Sequence, residues 1–135
     1  MSFAQTMRET ASHLGLTSLA ISDEGTCRIV FNDNQAIDIE ESKEMAGALH
    51  VYSAVAKVPT SNREKLFQFL LEANFLGRGT GSANLSLDMD TQEILLYQMV
   101  NFQLSEPRQI AELLKAFGEL AIQWNNSLAN TDIAA

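Results

Sequence analysis

The sequence has little cysteine, proline or histidine: one, two and two residues in a chain of 135. Cys27 stands alone and therefore cannot form an internal disulfide, which excludes a small fold held together by such bonds. No apolar run approaches the roughly 18 residues of a membrane span, and the N-terminus has no basic region followed by an apolar core. We therefore expect a cytoplasmic protein that does not insert into a membrane.

Basic side chains are also scarce. Nine lysines and arginines face seventeen aspartates and glutamates, giving a net charge of -8. Nucleic acid is excluded as a partner on this pattern, since phosphates are bound by clustered Lys and Arg and the basic residues here are scattered. The acidity has two interpretations that the sequence leaves open. It keeps the protein soluble, or it repels wrong partners and attracts a basic one.

The residue types that carry catalysis occur without the neighbours they need. His13 and His50 have no Cys, His or carboxylate at metal-ligand spacing. Cys27 alternates with Ile29 and Phe31 on a predicted strand, which indicates a small core residue, and no base can be assigned to activate it. The sequence therefore predicts no enzymatic activity and no cofactor.

Two further motifs are weak evidence for a calcium or phosphate site. The acidic run from Asp88 to Glu93 resembles the start of a calcium loop, but Glu93 stands where such a loop requires glycine, so a hairpin turn explains it better. The three glycines of the segment 77–81 follow a predicted helix and precede a strand. Phosphate-binding glycine loops run instead from a strand into a helix N-terminus. We interpret the segment as a helix stop and loop.

Hydrophobic periodicity predicts an α+β fold in the order α-β-β-β-β-α-β-β-α. The helices are expected from Ser2 to about Gly15, from about Asn62 to about Leu76, and from Ser105 to Leu128. The strands are expected at 17–22, 26–31, 36–40, 48–57, 83–89 and 94–102. Short turns between them favour one mostly antiparallel, twisted sheet with the helices packed on it. We expect a single domain over residues 1–128 and a loose tail over 129–135.

The central helix has more apolar surface than one sheet can cover. Ser61 and Glu64 have the spacing of a capping box at its start. On a helical wheel its apolar residues spread over roughly 220°, whereas a helix packed on one surface needs a stripe of only about 100°. The second surface predicts a homodimer built on this helix. The residues expected at the interface are Leu66, Phe69, Leu70, Ala73 and Leu76.

Several segments together resemble the CesT/Tir family of type III secretion chaperones. They are LGL at 14–16, DEGTCRIVFND at 23–33, LLEANFLGRGTG at 70–81, LSLD at 85–88 and the closing helix with Trp124. The family often has a glycine-rich step before the LSLD-like strand, where this chain has Ser82-Ala83-Asn84. The resemblance implies a homodimer in the bacterial cytoplasm that binds an extended N-terminal segment of a secreted effector. It implies neither nucleotide nor turnover. An alternative is that the same fold sequesters a regulator of secretion genes.

The effector is expected to bind along the N-terminal helix and the first hairpin. Apolar residues there belong to short elements and look poorly covered, and such patches often bind partners. An open sheet edge could also accept a strand of an extended ligand. The residues predicted to bind the partner are Phe3, Met7, Leu19, Ile21, Ile29 and Phe31. The alternative, left open by the sequence, is that these residues form the core.

Overall fold

The computed structural model describes residues 1–129 and has three helices and five strands over that range. The elements are α1 (Phe3–His13), β1 (Thr26–Phe31), β2 (Gln35–Glu41), β3 (Ala48–Lys57), α2 (Arg63–Asn74), a 3-10 turn (Phe75–Gly77), β4 (Asn84–Asp88), β5 (Glu93–Asn101) and α3 (Pro107–Ala129). The strands form one antiparallel sheet in the order β1-β2-β3-β5-β4, so β1 and β4 are its edges. The predicted α+β class is confirmed.

The chain divides into two compact units, each described by itself. The first contains Met1–Val51 and Met99–Gly118; the second contains Tyr52–Gln98 and the chain from Glu119 onward. In the first unit, the Ser2 side chain accepts a hydrogen bond from the Gln5 amide, which confirms the predicted start of α1. Phe3 then packs edge-to-face on Phe102, with ring centroids 6.0 Å apart.

The β1–β2 hairpin shows the alternation that its sequence predicts. Ile29 pairs with Ile37 in the register, and both side chains are buried. On the opposite side Arg28 pairs with Asp38, and the Arg28 Nε donates to the Asp38 carboxylate at 2.7 Å. Period-two alternation therefore separates an apolar inner surface from a charged outer surface.

One predicted strand is absent. The segment 17–22 contributes only a single bridge, between Ile21 and Cys27, and the chain then turns at once into β1. The turn is closed by Ser22, whose backbone N–H donates to the Thr26 carbonyl. The alternation of Leu19 and Ile21 is therefore not enough to form a strand, because a strand also needs a run of backbone hydrogen-bond partners.

In the second unit, α2 is tied to β4 by one side chain. The Asn74 amide accepts from the Leu85 N–H at 2.7 Å and donates to the Leu85 carbonyl at 3.0 Å. The predicted start of α2 at Asn62 is confirmed, but the capping box is not formed: Asn62 has φ 58° and makes no side-chain cap bond.

The end of α3 differs slightly from the prediction. Ala129 was expected to begin the loose tail, but it belongs to α3. Residues 130–135 of the predicted tail lie outside the described residues, and the predicted domain boundary at 128 stays a prediction.

Candidate interaction surfaces

The inner surface of α2 is largely covered within the chain. Leu66 and Leu70 are buried. Phe69 packs edge-to-face against Trp124 with centroids 5.9 Å apart, and the Trp124 indole N–H donates to the Gly79 carbonyl at 2.9 Å. The prediction that Leu66 and Leu70 lie at a dimer interface is therefore wrong, because both side chains are part of the core of a single chain.

The outer surface of α2 is open. Leu71 is 69% exposed although it follows the buried Leu70 directly. An open groove of about 890 Å³ runs along this surface. We call it the α2 groove; it is lined by Arg63, Glu64, Phe67, Gln68, Leu71, Glu72, Phe75 and Arg78. The second apolar surface predicted from the wheel is thus present, but other residues form it.

The chain beyond α2 adds further apolar surface. Leu76 is 79% exposed and has φ 57°, a left-handed conformation that leucine rarely adopts. Phe75 is also exposed, and the Arg78 guanidinium lies over its ring at 5.1 Å from the centroid. Of the five residues predicted for self-association, Leu76 is the one that is largely exposed, while Phe69 and Ala73 are half-buried.

Close packing at Gly79 explains why Ala73 is partly covered, whereas Phe69 is partly covered by Trp124. A Cβ at Gly79 would lie 3.0 Å from the Ala73 Cβ and 3.1 Å from the Trp124 ring. The backbone at Gly79 therefore approaches α2 as closely as the absence of a side chain allows.

The residues predicted to bind a partner near the N-terminus divide into two groups. Phe3, Met7 and Ile29 are buried, so the expectation that they are poorly covered is wrong. They are core because α1 and β1 bury them within the first unit. Leu19 and Ile21 are half-buried and keep part of their surface accessible.

Phe31 is also half-buried, for a specific reason. A Cβ at Gly118 would meet its ring at 2.5 Å, so the Phe31 ring rests directly on the backbone of α3. Beside it on β1, Val30 is 56% exposed and points to the other side of the strand. Val30 was missed by the sequence interpretation, which counted only the residues that alternate with it.

Cys27, the single cysteine of the sequence, is buried. Burial, followed by the nearby Asp38 charge, raises the pKa of the Cys27 thiol to about 11, which keeps it protonated and unreactive at neutral pH. Among residues 1–129 no group of three His, Cys, Asp or Glu side chains could hold a metal ion. None of the helices in that range has the length and hydropathy needed to cross a bilayer.

The model of the Tir chaperone protein (CesT) family matches residues 5–125 of the chain. No curated protein sequence matches this chain significantly.

Solved structures share the fold at low sequence identity. The structure of the HopA1-SchA chaperone-effector complex matches with a TM-score of 0.67 and 17% identity, covering 93% of this chain and 91% of that one. Yersinia pestis SycH, a type III secretion chaperone solved with a fragment of YscM2, matches with a TM-score of 0.69 and 18% identity, covering 91% and 99%. The ExoU-SpcU complex of the Pseudomonas aeruginosa type III secretion system matches with a TM-score of 0.66 and 16% identity, covering 88% of this chain and 93% of that one.

Proposed function

Because the chain belongs to the Tir chaperone protein (CesT) family, we propose that it is a cytoplasmic chaperone for a type III secretion effector. It binds an extended segment near the effector's N-terminus and keeps that protein soluble and competent for export. The family consists of binding proteins without enzymatic activity. The observation that carries the proposal is the family match over residues 5–125, and the chaperone-effector complexes of the same fold support it.

The proposed effector surface lies on the β1 edge of the sheet. In the described sheet β1 has a full strand neighbour only on its β2 side. The segment 17–22 meets the start of its other edge by the single bridge from Ile21 to Cys27, and the remainder of that edge could pair with an added strand. Leu19, Ile21 and Phe31 are half-buried around it and Val30 is exposed. Apolar side chains of an extended ligand can pack on these residues while its backbone pairs with β1. Because such a ligand is ordered only on binding, a long wrapped interface must offset that entropic cost.

The proposed self-association surface is the α2 groove. Leu71 and Phe75, which line it, are more than half exposed, and so is Leu76, which follows Phe75 in the chain. A contiguous apolar surface of this kind on a soluble chain is typical of a protein–protein contact. We therefore retain the homodimer and move it from the predicted inner residues Leu66 and Leu70 to the outer surface of α2.

Co-purification with an effector tests the effector surface. An N-terminal fragment of an effector encoded beside this protein is immobilised, and capture of the wild type is compared with that of Leu19→Asp and Val30→Asp. Both substitutions place a charge on the proposed surface without entering the core, so we expect at least tenfold weaker capture by each. Leu104→Asp is the matched control, since Leu104 is 84% exposed in the turn between β5 and α3.

Unchanged capture by folded Leu19→Asp and Val30→Asp proteins would contradict the assignment of the effector surface to the β1 edge. Ile29→Asp, by contrast, is expected to unfold the protein, because Ile29 is buried. Recovery of a transcriptional regulator in place of any effector would instead support the alternative function of sequestering a regulator of secretion genes.

A further inference from the structure

The acidic residues of the chain are concentrated on the hairpin of β1 and β2. The segment 23–41 contains six carboxylates and a single base, Arg28, so five of the eight net negative charges of the chain lie in 19 residues. Arg28 is engaged within the hairpin, since its Nε donates to the Asp38 carboxylate at 2.7 Å. One base cannot offset the remaining carboxylates, so the hairpin carries a negative potential.

Four of these carboxylates lie at one end of β1, around the turn that leads into the strand. Asp23 and Glu24 precede Gly25 in that turn, and both are exposed. The Glu41 N–H donates to the Gly25 carbonyl at 2.8 Å, and a Cβ at Gly25 would lie 3.1 Å from Glu41 Oε1. Glu40, the neighbour of Glu41, pairs with the first residue of β1. We call Asp23, Glu24, Glu40 and Glu41 the hairpin acids.

The backbone edge of β1 is closed at this same end. The bond from Glu41 to Gly25 fixes which residues of β1 face β2, and by alternation the backbone groups of Thr26 and Val30 face the outer edge. Ser22 takes both groups of Thr26: its N–H donates to the Thr26 carbonyl at 2.9 Å, and its Oγ accepts from the Thr26 N–H at 3.0 Å. Val30, at the other end of β1, has no such partner within residues 1–129. An added strand therefore finds backbone partners beside Val30, and side chains alone can bind it beside the hairpin acids.

We propose that the effector segment bound at the β1 edge carries lysine or arginine residues next to its apolar residues, and that the hairpin acids bind them. This ligand chemistry rests on the proposed function, in which the β1 edge binds the effector. The apolar residues of the segment pack on Val30, which is 56% exposed, while its basic residues lie over the turn before β1. The acidity of the chain then attracts a basic partner as well as keeping the chain soluble.

Charges in this position act mainly on the rate of association. Charges at the rim of an interface steer an oppositely charged ligand toward it, and salt screens their effect. Apolar and backbone contacts near Val30, by contrast, act mainly on the rate of dissociation. The two ends of one surface are therefore expected to differ in their kinetics.

Neutralising the two exposed hairpin acids tests the proposal. Surface plasmon resonance measures the rates at which the wild type and Asp23→Asn/Glu24→Gln bind and leave an immobilised N-terminal fragment of the effector encoded beside this protein. We expect about tenfold slower association of the variant at low salt and an unchanged dissociation rate. At about 1 M salt, where the screening length is roughly 3 Å, the difference should disappear. Glu112→Gln/Glu119→Gln is the matched control, since it removes two exposed carboxylates of α3 and changes the net charge equally.

Equal association rates of the wild type and Asp23→Asn/Glu24→Gln at low salt would overturn the proposal. So would an equal loss in the α3 control, because net charge alone would then explain the effect. Circular dichroism checks that the variant is folded, and the backbone bonds that close its turn are made by other residues, Ser22 and Thr26. The unmodified protein gives an independent measure, since association that does not slow as salt rises also contradicts the proposal.

Charge exchange identifies the ligand residues. Each lysine or arginine of the effector fragment is replaced in turn by glutamate, and capture is measured with the wild type and with Asp23→Lys/Glu24→Lys. Replacing a residue that contacts the hairpin acids should weaken capture by the wild type about tenfold, and should weaken capture by the charge-reversed variant much less or strengthen it. A fragment in which no basic residue shows this coupling would contradict the proposal.

The same measurements separate this proposal from the chaperone function. Tight capture by the wild type with neither salt dependence nor charge coupling overturns the ligand chemistry and leaves the chaperone function standing. Absence of any capture by the wild type contradicts the chaperone function itself, and the ligand chemistry with it.

Discussion

The helices α1 and α2 have nearly the same length, 11 and 12 residues, yet their own units cover them very differently. α1 buries its apolar positions, including Phe3, Met7 and Ala11. α2 buries Leu66 and Leu70 but leaves the adjacent Leu71 exposed. The first helix has a single apolar stripe, and the second has two.

The difference separates residues that fold the chain from residues that remain for association. A single stripe can be satisfied within the monomer, so substitutions on α1 act on stability. A second apolar stripe stays exposed to water, which is unfavourable until a partner protein covers it. On α2, therefore, neighbouring residues are expected to have unrelated roles, and substitutions at successive positions can test this.

The largest effect is expected at Leu70, on the covered side of α2. Leu70→Asp places a carboxylate in an apolar core at a position only 5% exposed. We expect it to lower the free energy of unfolding by about 4 kcal/mol or more. Urea denaturation followed by circular dichroism measures it. A soluble Leu70→Asp protein with wild-type stability would contradict the assignment of Leu70 to the core.

The next effect concerns the covered aromatic ring of the first unit. Gly118→Ala puts a methyl group into the Phe31 ring, which must then leave α3, and the strain outweighs the gain in helix propensity. We expect the free energy of unfolding to fall by about 2 kcal/mol. Thermal unfolding measures it, and Gly118→Ala should cost less in a Phe31→Ala background than in the wild type. An equal cost in the two backgrounds would show that the clash is elsewhere.

A smaller loss is expected from Gly79→Ala in the second unit. Its methyl group would lie 3.0 Å from the Ala73 Cβ and 3.1 Å from the Trp124 ring, which is tight but less so than the 2.5 Å contact at Gly118. We expect the free energy of unfolding to fall by about 1 kcal/mol, measured by urea denaturation. A stability equal to or above that of the wild type would mean that the contact relaxes freely.

Leu71→Asp is expected to change folding stability least, by about 0.5 kcal/mol or less, since the side chain is already in water. Its effect should appear in self-association, where a carboxylate introduced on the α2 groove of each copy would weaken the dimer at least tenfold. Size-exclusion chromatography with light scattering measures the dimer, and Leu104→Asp is the exposed control. An intact Leu71→Asp dimer would place the interface away from the α2 groove.

Much of the fold follows from the sequence because its signals are local. The Ser2 cap and the alternation over β1 and β4 each predict an element that the structure contains. The strand predicted at 17–22 failed because its pairing depends on distant backbone, and only Ile21 finds a partner.

The site was predicted less completely than the fold. The wheel of α2 showed correctly that two apolar surfaces exist, but it could not say which one faces the core. Leu70 and Leu71 are only about 100° apart on the helix, and which of them is buried depends on tertiary packing. Likewise, the exposure of Val30 depends on the register of β1 with β2, which no local pattern encodes.

Trp124 also gives the molecule a spectroscopic property. It is the only tryptophan in the sequence, and its ring lies against Phe69 with its N–H held by the Gly79 carbonyl. Its fluorescence emission therefore reports on the buried surface beneath α2, and it contains no signal from the first unit. Loss of that emission together with far-ultraviolet ellipticity means that both units unfold as one. A separation of the two signals would give each unit its own melting curve from unlabelled protein.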